Sequence, residues 1–148
     1  MAAYTPKKVE DYLDSGKGAC PLRDPRIAEL VANALRCWDG QRYRLIAWCV
    51  MPNHVHVVFR LLPGQELANV LRSWKSYTAR TANRVLDRRG EFWQREYYDR
   101  LLRNGDELQR AVEYVMNNPE QAGLKGWQWV WCAGVDAPTT AGLEASAT

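Results

Sequence analysis

Histidine is scarce in this chain, with only two among 148 residues. None of the four cysteines lies in the CxxC spacing of a zinc site, and no disulfide framework is indicated. The sequence also lacks a signal peptide, a membrane-length apolar run, a P-loop and a two-metal cluster of acidic residues. These absences predict a cytoplasmic protein with reduced thiols and no membrane partner. A formal charge of +3 is too small to indicate nucleic-acid binding by itself.

Length and composition predict one domain over residues 1–132 and a disordered tail over 133–148, which is rich in Ala, Gly, Thr and Ser. Periodicity and capping residues predict the elements within it. These are a short helix at 6–13, a helix from Pro25 capped by Asp24, strands at 43–50 and 54–62, a helix at 67–86, an irregular segment or short strand at 92–100, and a helix at 107–117 capped by Asp106 and closed by Pro119.

Both histidines stand in the apolar run MPNHVHVVF at residues 51–59. On a β-strand, residues two apart point to the same face, so His54 and His56 project side by side. Two imidazoles aimed at one point are a natural half of a divalent-metal site. The alternative is a pair of buried histidines that are hydrogen-bonded in the core.

Tyr114 is a candidate nucleophile because it lies off the centre of its helix's apolar stripe, and Asn118 shares its side one turn later. A phenol can attack phosphorus when a Lewis acid polarises the phosphate. The alternative is a tyrosine at the edge of a helix–sheet interface, with its hydroxyl in water. Tyr77 is the main rival nucleophile, although packing or base stacking is expected there, and Tyr97 and Tyr98 are further candidates.

Basic residues concentrate on the helix at 67–86, whose predicted buried stripe is Leu67, Val70, Leu71, Trp74, Thr78, Thr81 and Val85. The basic residues on the other side of this helix are predicted to contact phosphates. They are Arg72, Lys75, Arg80 and Arg84. A groove beside it is expected to be lined by Trp93, Gln94, Arg95 and Arg103, with the indole stacking on unpaired bases. The alternatives are a solvated helix face and a tryptophan that belongs to the core.

Four blocks in order carry a resemblance to a known family: MPNHVHVVF, WKSYTAR, FWQREYYDRLLR and EYVMNNPEQAGL. They resemble the single-tyrosine HUH transposases, and the branch called REP-associated tyrosine transposases in particular. The resemblance covers residues 24–131. It implies an α+β fold of the HUH endonuclease kind, ferredoxin-like or RRM-like, in which helices flank an antiparallel sheet.

The resemblance also implies an activity, which is nicking and joining of single-stranded DNA beside a hairpin. His54 and His56 then hold Mg²⁺ or Mn²⁺ on the scissile phosphate, and Asn118 completes the metal shell. Tyr114 is the nucleophile and leaves a 5′-phosphotyrosine with a free 3′-OH. Members include monomers and homodimers, so either state is expected.

One feature departs from the family, because the usual first strand with its aromatic-Thr-Phe-Arg-like motif is missing. Residues 1–23 resemble instead the helix and linker that follow that strand in longer relatives, which predicts a chain that starts late and lacks a central strand. This expectation keeps two alternatives open. One is a degenerate, non-catalytic protein that binds DNA hairpins, and the other is a metal ribonuclease built on the same histidine pair.

Overall fold

An antiparallel sheet of five strands forms the centre of the described part of the chain, with helices on both faces. The computed structural model describes residues 8–14, 20–94 and 98–133. The elements are β1 (Lys8–Asp14), α1 (Pro25–Cys37), β2 (Tyr43–Val50), β3 (His54–Leu61), α2 (Leu67–Leu86), β4 (Tyr98–Leu102), α3 (Gly105–Gln121) and β5 (Val130–Cys132). The α+β class with an antiparallel sheet is therefore confirmed.

The sheet has the strand order β4-β1-β3-β2-β5, so β3 lies at its centre. The predicted hairpin of β2 and β3 is present, and the backbone N–H of Met51 donates to the carbonyl of His54 across its turn (2.7 Å). Pro52 has no backbone N–H to donate to a neighbouring strand, and in this turn no such hydrogen bond is required of it. Among the described residues, no helix is both long enough and apolar enough to span a membrane.

The two faces of β3 have different partners. Val55, Val57 and Phe59 belong to the core beneath α1 and α2, where the Trp74 ring meets Phe59 edge-on at 5.0 Å between centroids. Val58 belongs to a second core, beneath α3. Because strand side chains alternate between faces, the histidines at even positions share the α3 face with Val58.

The expected short helix at 6–13 is wrong, and so is the expectation of a missing central strand. Residues Lys8–Asp14 form β1, which pairs with β3 on one side and β4 on the other. The lysine and the acidic residues in this segment have low β-propensity, so local sequence did not indicate a strand. Backbone hydrogen bonds to two neighbouring strands outweigh that weak local preference.

Smaller corrections concern the two long helices. In α2, Ala82 is buried, whereas Val85 is exposed and Thr81 is only partly buried, because the buried stripe turns away from them near the helix end. Asn104, not Asp106, caps α3: its side chain accepts from the Glu107 N–H (2.9 Å). The helix also continues past the predicted end to Gln121, because the buried ring of Pro119 lies in the last turn and costs only one backbone hydrogen bond.

Candidate catalytic site

The two histidines lie side by side on the α3 face of β3. Their ring centroids are 4.9 Å apart, with the planes at 85°. His56 is 5% exposed, whereas His54 is half-buried. The predicted convergence of two imidazoles on one face is therefore present, at the hairpin end of the central strand.

Asn53, a residue outside the predicted set, fixes the orientation of His54. The Asn53 Oδ1 lies 2.8 Å from His54 Nδ1. A carboxamide oxygen can only accept, so Nδ1 carries a proton and Nε2 is the ring nitrogen left to face a metal. Such a partner sets the tautomer and ring orientation of a metal-ligating histidine. The signal was an asparagine directly before the first histidine.

Burial keeps His56 neutral. Desolvation, reinforced by the nearby His54, lowers the pKa of His56 from its usual range to about 3. At neutral pH this ring is therefore uncharged, which is the form in which imidazole binds a metal. Cys49 is the Cα partner of His56 on β2, and burial raises the pKa of its thiol to about 12, so it is not an activated nucleophile.

Tyr114 meets the histidine pair from α3. Its ring lies edge-on against His56 with centroids 5.2 Å apart and planes at 89°. The helix is held against the sheet by Ala111 and Val115, which are buried in the second core. The tyrosine itself stays 52% exposed, so its phenol is open to a large substrate.

Asn118 follows Tyr114 by one helical turn and is partly buried. Its Nδ2 is buried with no hydrogen-bond partner among the described residues. The amide nitrogen is thus available to donate to a ligand of the site.

The donor set fits a divalent cation that shares its coordination with a substrate. Within residues 8–14, 20–94 and 98–133, no group of three or more His, Cys, Asp or Glu could hold a metal. Two imidazoles and a carboxamide leave several positions for phosphate oxygens and water. That combination suits Mn²⁺ well, and suits Mg²⁺ when oxygen ligands supply most of the shell.

The predicted DNA-contacting residues divide between the two faces of the sheet. Arg72, Arg80 and Arg84 are exposed and Lys75 is partly buried, all on α2, which packs on the face opposite Tyr114. The rival Tyr77 is 49% exposed on the same helix, and so it is remote from the histidines. Arg103 is exposed just before α3, the helix that carries Tyr114, and Gln94 is exposed beside α2.

Trp93 is a core residue, the alternative that the sequence had left open. It is 6% exposed, and its indole N–H donates to Thr78 Oγ1 (2.8 Å). Its ring therefore offers no free face for base stacking. Arg95 and Tyr97 lie outside the described residues, and Tyr98 is the first residue of β4.

Comparison with known proteins assigns the chain to a family. Residues 24–118 match the model of the IS200-like transposases. The chain belongs to this family. Two Haemophilus influenzae proteins are each 22% identical to this family member: one, uncharacterized, over 114 residues, and one provisionally named a REP-associated tyrosine transposase over 101. The first alignment covers 57% of this chain and 61% of the uncharacterized protein. The second covers 59% of this chain and 57% of the other protein. The chain therefore spans about three-fifths of the length of these relatives.

Two solved structures share the fold. One is a REP-associated tyrosine transposase bound to a REP hairpin, with a TM-score of 0.70 and 16% identity, covering 97% of this chain and 88% of that one. The other is a provisionally named transposase from Deinococcus radiodurans, with a TM-score of 0.54 and 16% identity, covering 80% of this chain and 95% of that one. At such low identity the likeness establishes the fold.

Proposed function

We propose that this IS200-like transposase is a single-stranded DNA endonuclease and strand transferase that acts beside a DNA hairpin. The observation that carries the proposal is the contact between Tyr114 and His56, two residues far apart in the sequence. A nucleophile beside a metal-binding histidine pair is what tyrosine-mediated phosphodiester cleavage requires. The hairpin partner is supported by the solved relative that is bound to one.

The proposed step is an in-line displacement at the scissile phosphate. The Tyr114 phenol oxygen gives up its proton and forms a bond to phosphorus, and the bond from phosphorus to the 3′ oxygen breaks. The 3′ oxygen takes up a proton and leaves as a free 3′-OH, while the 5′ side stays attached as a phosphotyrosine. Attack by a 3′-OH on that linkage reverses the step, so strands are joined without ATP.

His54, His56 and Asn118 are the residues proposed to hold Mg²⁺ or Mn²⁺. The cation supplies charge stabilisation to the phosphate oxygens when bound. The chain's own contribution is a neutral imidazole at His56, which is buried, and a fixed ring at His54, whose Nδ1 is held by the Asn53 oxygen. The 52% exposure of Tyr114 leaves room for the strand to reach the phenol.

The catalytic proposal is preferred to the non-catalytic one for a structural reason. A missing central strand is the feature that would favour a degenerate relative, yet β1 occupies a place between β3 and β4. The two histidines and the tyrosine of the proposed site are in contact within one chain, which supports a site that is contained in a single copy. We therefore propose a monomer as the minimal active unit. A homodimer remains compatible with this, because each copy would carry its own site.

Contacts from α2 form the second part of the proposal. Arg72, Lys75, Arg80 and Arg84 bind DNA phosphates on the face away from Tyr114. These contacts carry no sequence information, and each phosphate contact steepens the salt dependence of binding.

The deciding experiment is an adduct assay. The protein is incubated with an end-labelled single strand bearing a hairpin and Mn²⁺, and the products are run on a denaturing gel. We expect a covalent protein–DNA band with the unaltered chain, none with Tyr114→Phe or with EDTA, and unchanged DNA binding in Tyr114→Phe. Tyr77→Phe is the matched control, because Tyr77 is almost as exposed but lies on the opposite face. An adduct that survives Tyr114→Phe would contradict the proposal.

A further inference from the structure

We infer that Arg60 and Arg44 form a phosphate-binding subsite for the single-stranded part of the DNA, on the same sheet face as the histidine pair. This inference rests on the proposed function, because it takes the ligand to be a DNA strand whose scissile phosphate lies at Tyr114. It assigns a role to a pair of arginines outside the predicted set.

The backbone register places the two arginines side by side. Arg44 of β2 is the Cα partner of Arg60 of β3 in the antiparallel pairing. Along β3, Arg60 shares its face with His56 and Val58, because alternate side chains point the same way. Both arginines therefore lie on the α3 face, at the end of the sheet opposite the hairpin.

This arrangement is unfavourable unless an anion is present. Like charges directly opposite each other in an antiparallel pair are destabilising. Among the described residues, no carboxylate forms an ion pair with Arg44 or Arg60. The Arg60 Nε is moreover buried with no hydrogen-bond partner in that part of the chain. A phosphate would neutralise both charges and accept the fork-shaped donors of a guanidinium.

The distance along the strand indicates which phosphate is bound. Arg60 lies four positions after His56, which is about 13 Å on a β-strand. That exceeds the length of an arginine side chain, so Arg60 contacts a phosphate other than the scissile one. The subsite therefore holds the flanking strand while Tyr114 acts on its own phosphate.

Arg110 supplies a positive charge between Arg60 and Tyr114. It is exposed, and it precedes Tyr114 by one turn on the same side of α3. The helix begins just after Leu102, which shares a register row with Lys8 and Arg60, so its N-terminal end lies toward Arg60. Arg110 therefore stands on the Arg60 side of Tyr114, along the path proposed for the strand.

The test compares DNA affinity for two labelled probes, a hairpin with a long single-stranded flank and the same hairpin without it, by fluorescence anisotropy. We expect Arg60→Gln to weaken binding of the flanked probe about tenfold and to reduce the salt slope by about 0.7. Binding of the probe without a flank stays unchanged. Arg44→Gln, at an exposed position, produces a smaller change in the same direction, and Arg60→Lys restores part of the affinity.

Arg36→Gln is the matched control, because it removes one exposed positive charge from α1 on the other face of the sheet. A purely structural arginine would lower the melting temperature when replaced, whereas here relief of repulsion keeps that temperature the same or raises it. Unchanged affinity for the flanked probe in both Arg60→Gln and Arg44→Gln overturns the inference, and so does an equal loss on both probes.

The binding readout separates this inference from the proposed function. If the unaltered chain forms no covalent adduct but Arg60→Gln still loses affinity for the flanked probe, the nicking proposal fails and the subsite stands. If the adduct forms and depends on Tyr114 while Arg60→Gln binds both probes normally, the subsite fails and the nicking proposal stands.

Discussion

Replacing Asn53 with alanine should weaken metal binding without removing a ligand. The Asn53 oxygen accepts from Nδ1 of His54 across 2.8 Å and so fixes the ring and its tautomer. In Asn53→Ala the ring still lies against His56, because the two imidazoles contact each other directly. The loss should therefore be that of an orienting partner, about 10- to 100-fold in affinity. That corresponds to roughly 1.4 to 2.8 kcal/mol.

Isothermal titration of Mn²⁺ into the protein measures this change, with the melting temperature as a check on folding. His54→Ala and His56→Ala set the upper limit for the loss of Mn²⁺ affinity, because each removes a proposed ligand. Each should reduce both metal affinity and activity more strongly than Asn53→Ala does. Asn53→Asp is the informative control, since a carboxylate keeps an acceptor at that position and should retain the affinity. The reasoning is refuted if Asn53→Ala binds Mn²⁺ as tightly as the unaltered chain, or if Asn53→Asp falls as far as Asn53→Ala.

Two further predictions concern the core. Trp93→Phe removes the indole donor to Thr78, so the free energy of unfolding measured by urea titration should fall by roughly 1–3 kcal/mol. DNA affinity should stay unchanged. A large loss of DNA affinity in a fully folded variant would instead show that Trp93 contributes to DNA binding. The Tyr43 hydroxyl donates to the Leu35 carbonyl and accepts from the Trp74 indole, and burial raises its pKa to about 12. In the unfolded chain the phenol has its usual pKa of about 10. The contribution of the neutral Tyr43 phenol to the free energy of unfolding is therefore complete below pH 10 and is lost as pH rises toward 12. Chemical denaturation across that range should show a steeper decline than in Tyr43→Phe, and equal declines would contradict the assigned cause.

The elements that sequence predicted best are those whose signals are local. Strand β2 and helix α2 have the predicted bounds, because dense β-branched and aromatic residues mark the first and a long apolar stripe marks the second. Strand β1 has no such signal, since its pairing with β3 and β4 depends on residues far along the chain. The cap at Asn104 was visible in principle, as an asparagine three residues before Glu107.

The candidate site was predictable only in part. The spacing of His54 and His56 on a strand is enough to place them together, because strand geometry is periodic. Their meeting with Tyr114 follows from packing of α3 on the sheet, which no local pattern encodes; there the family resemblance supplied the expectation. The burial of Trp93 could not be decided from sequence, since a tryptophan suits a core and a binding groove equally well.

The division of charges between the two faces bears on how DNA can be held. The α2 cations and the proposed catalytic residues lie on opposite faces of one sheet, so a straight segment of DNA is not expected to contact both. A substrate that uses both surfaces has to bend around an edge of the sheet. A hairpin joined to a flexible single strand can do this at the junction, because unpaired DNA bends far more easily than a duplex. Under the proposed function, the stem then belongs with α2, and the flank belongs with Tyr114 and the Arg44–Arg60 pair.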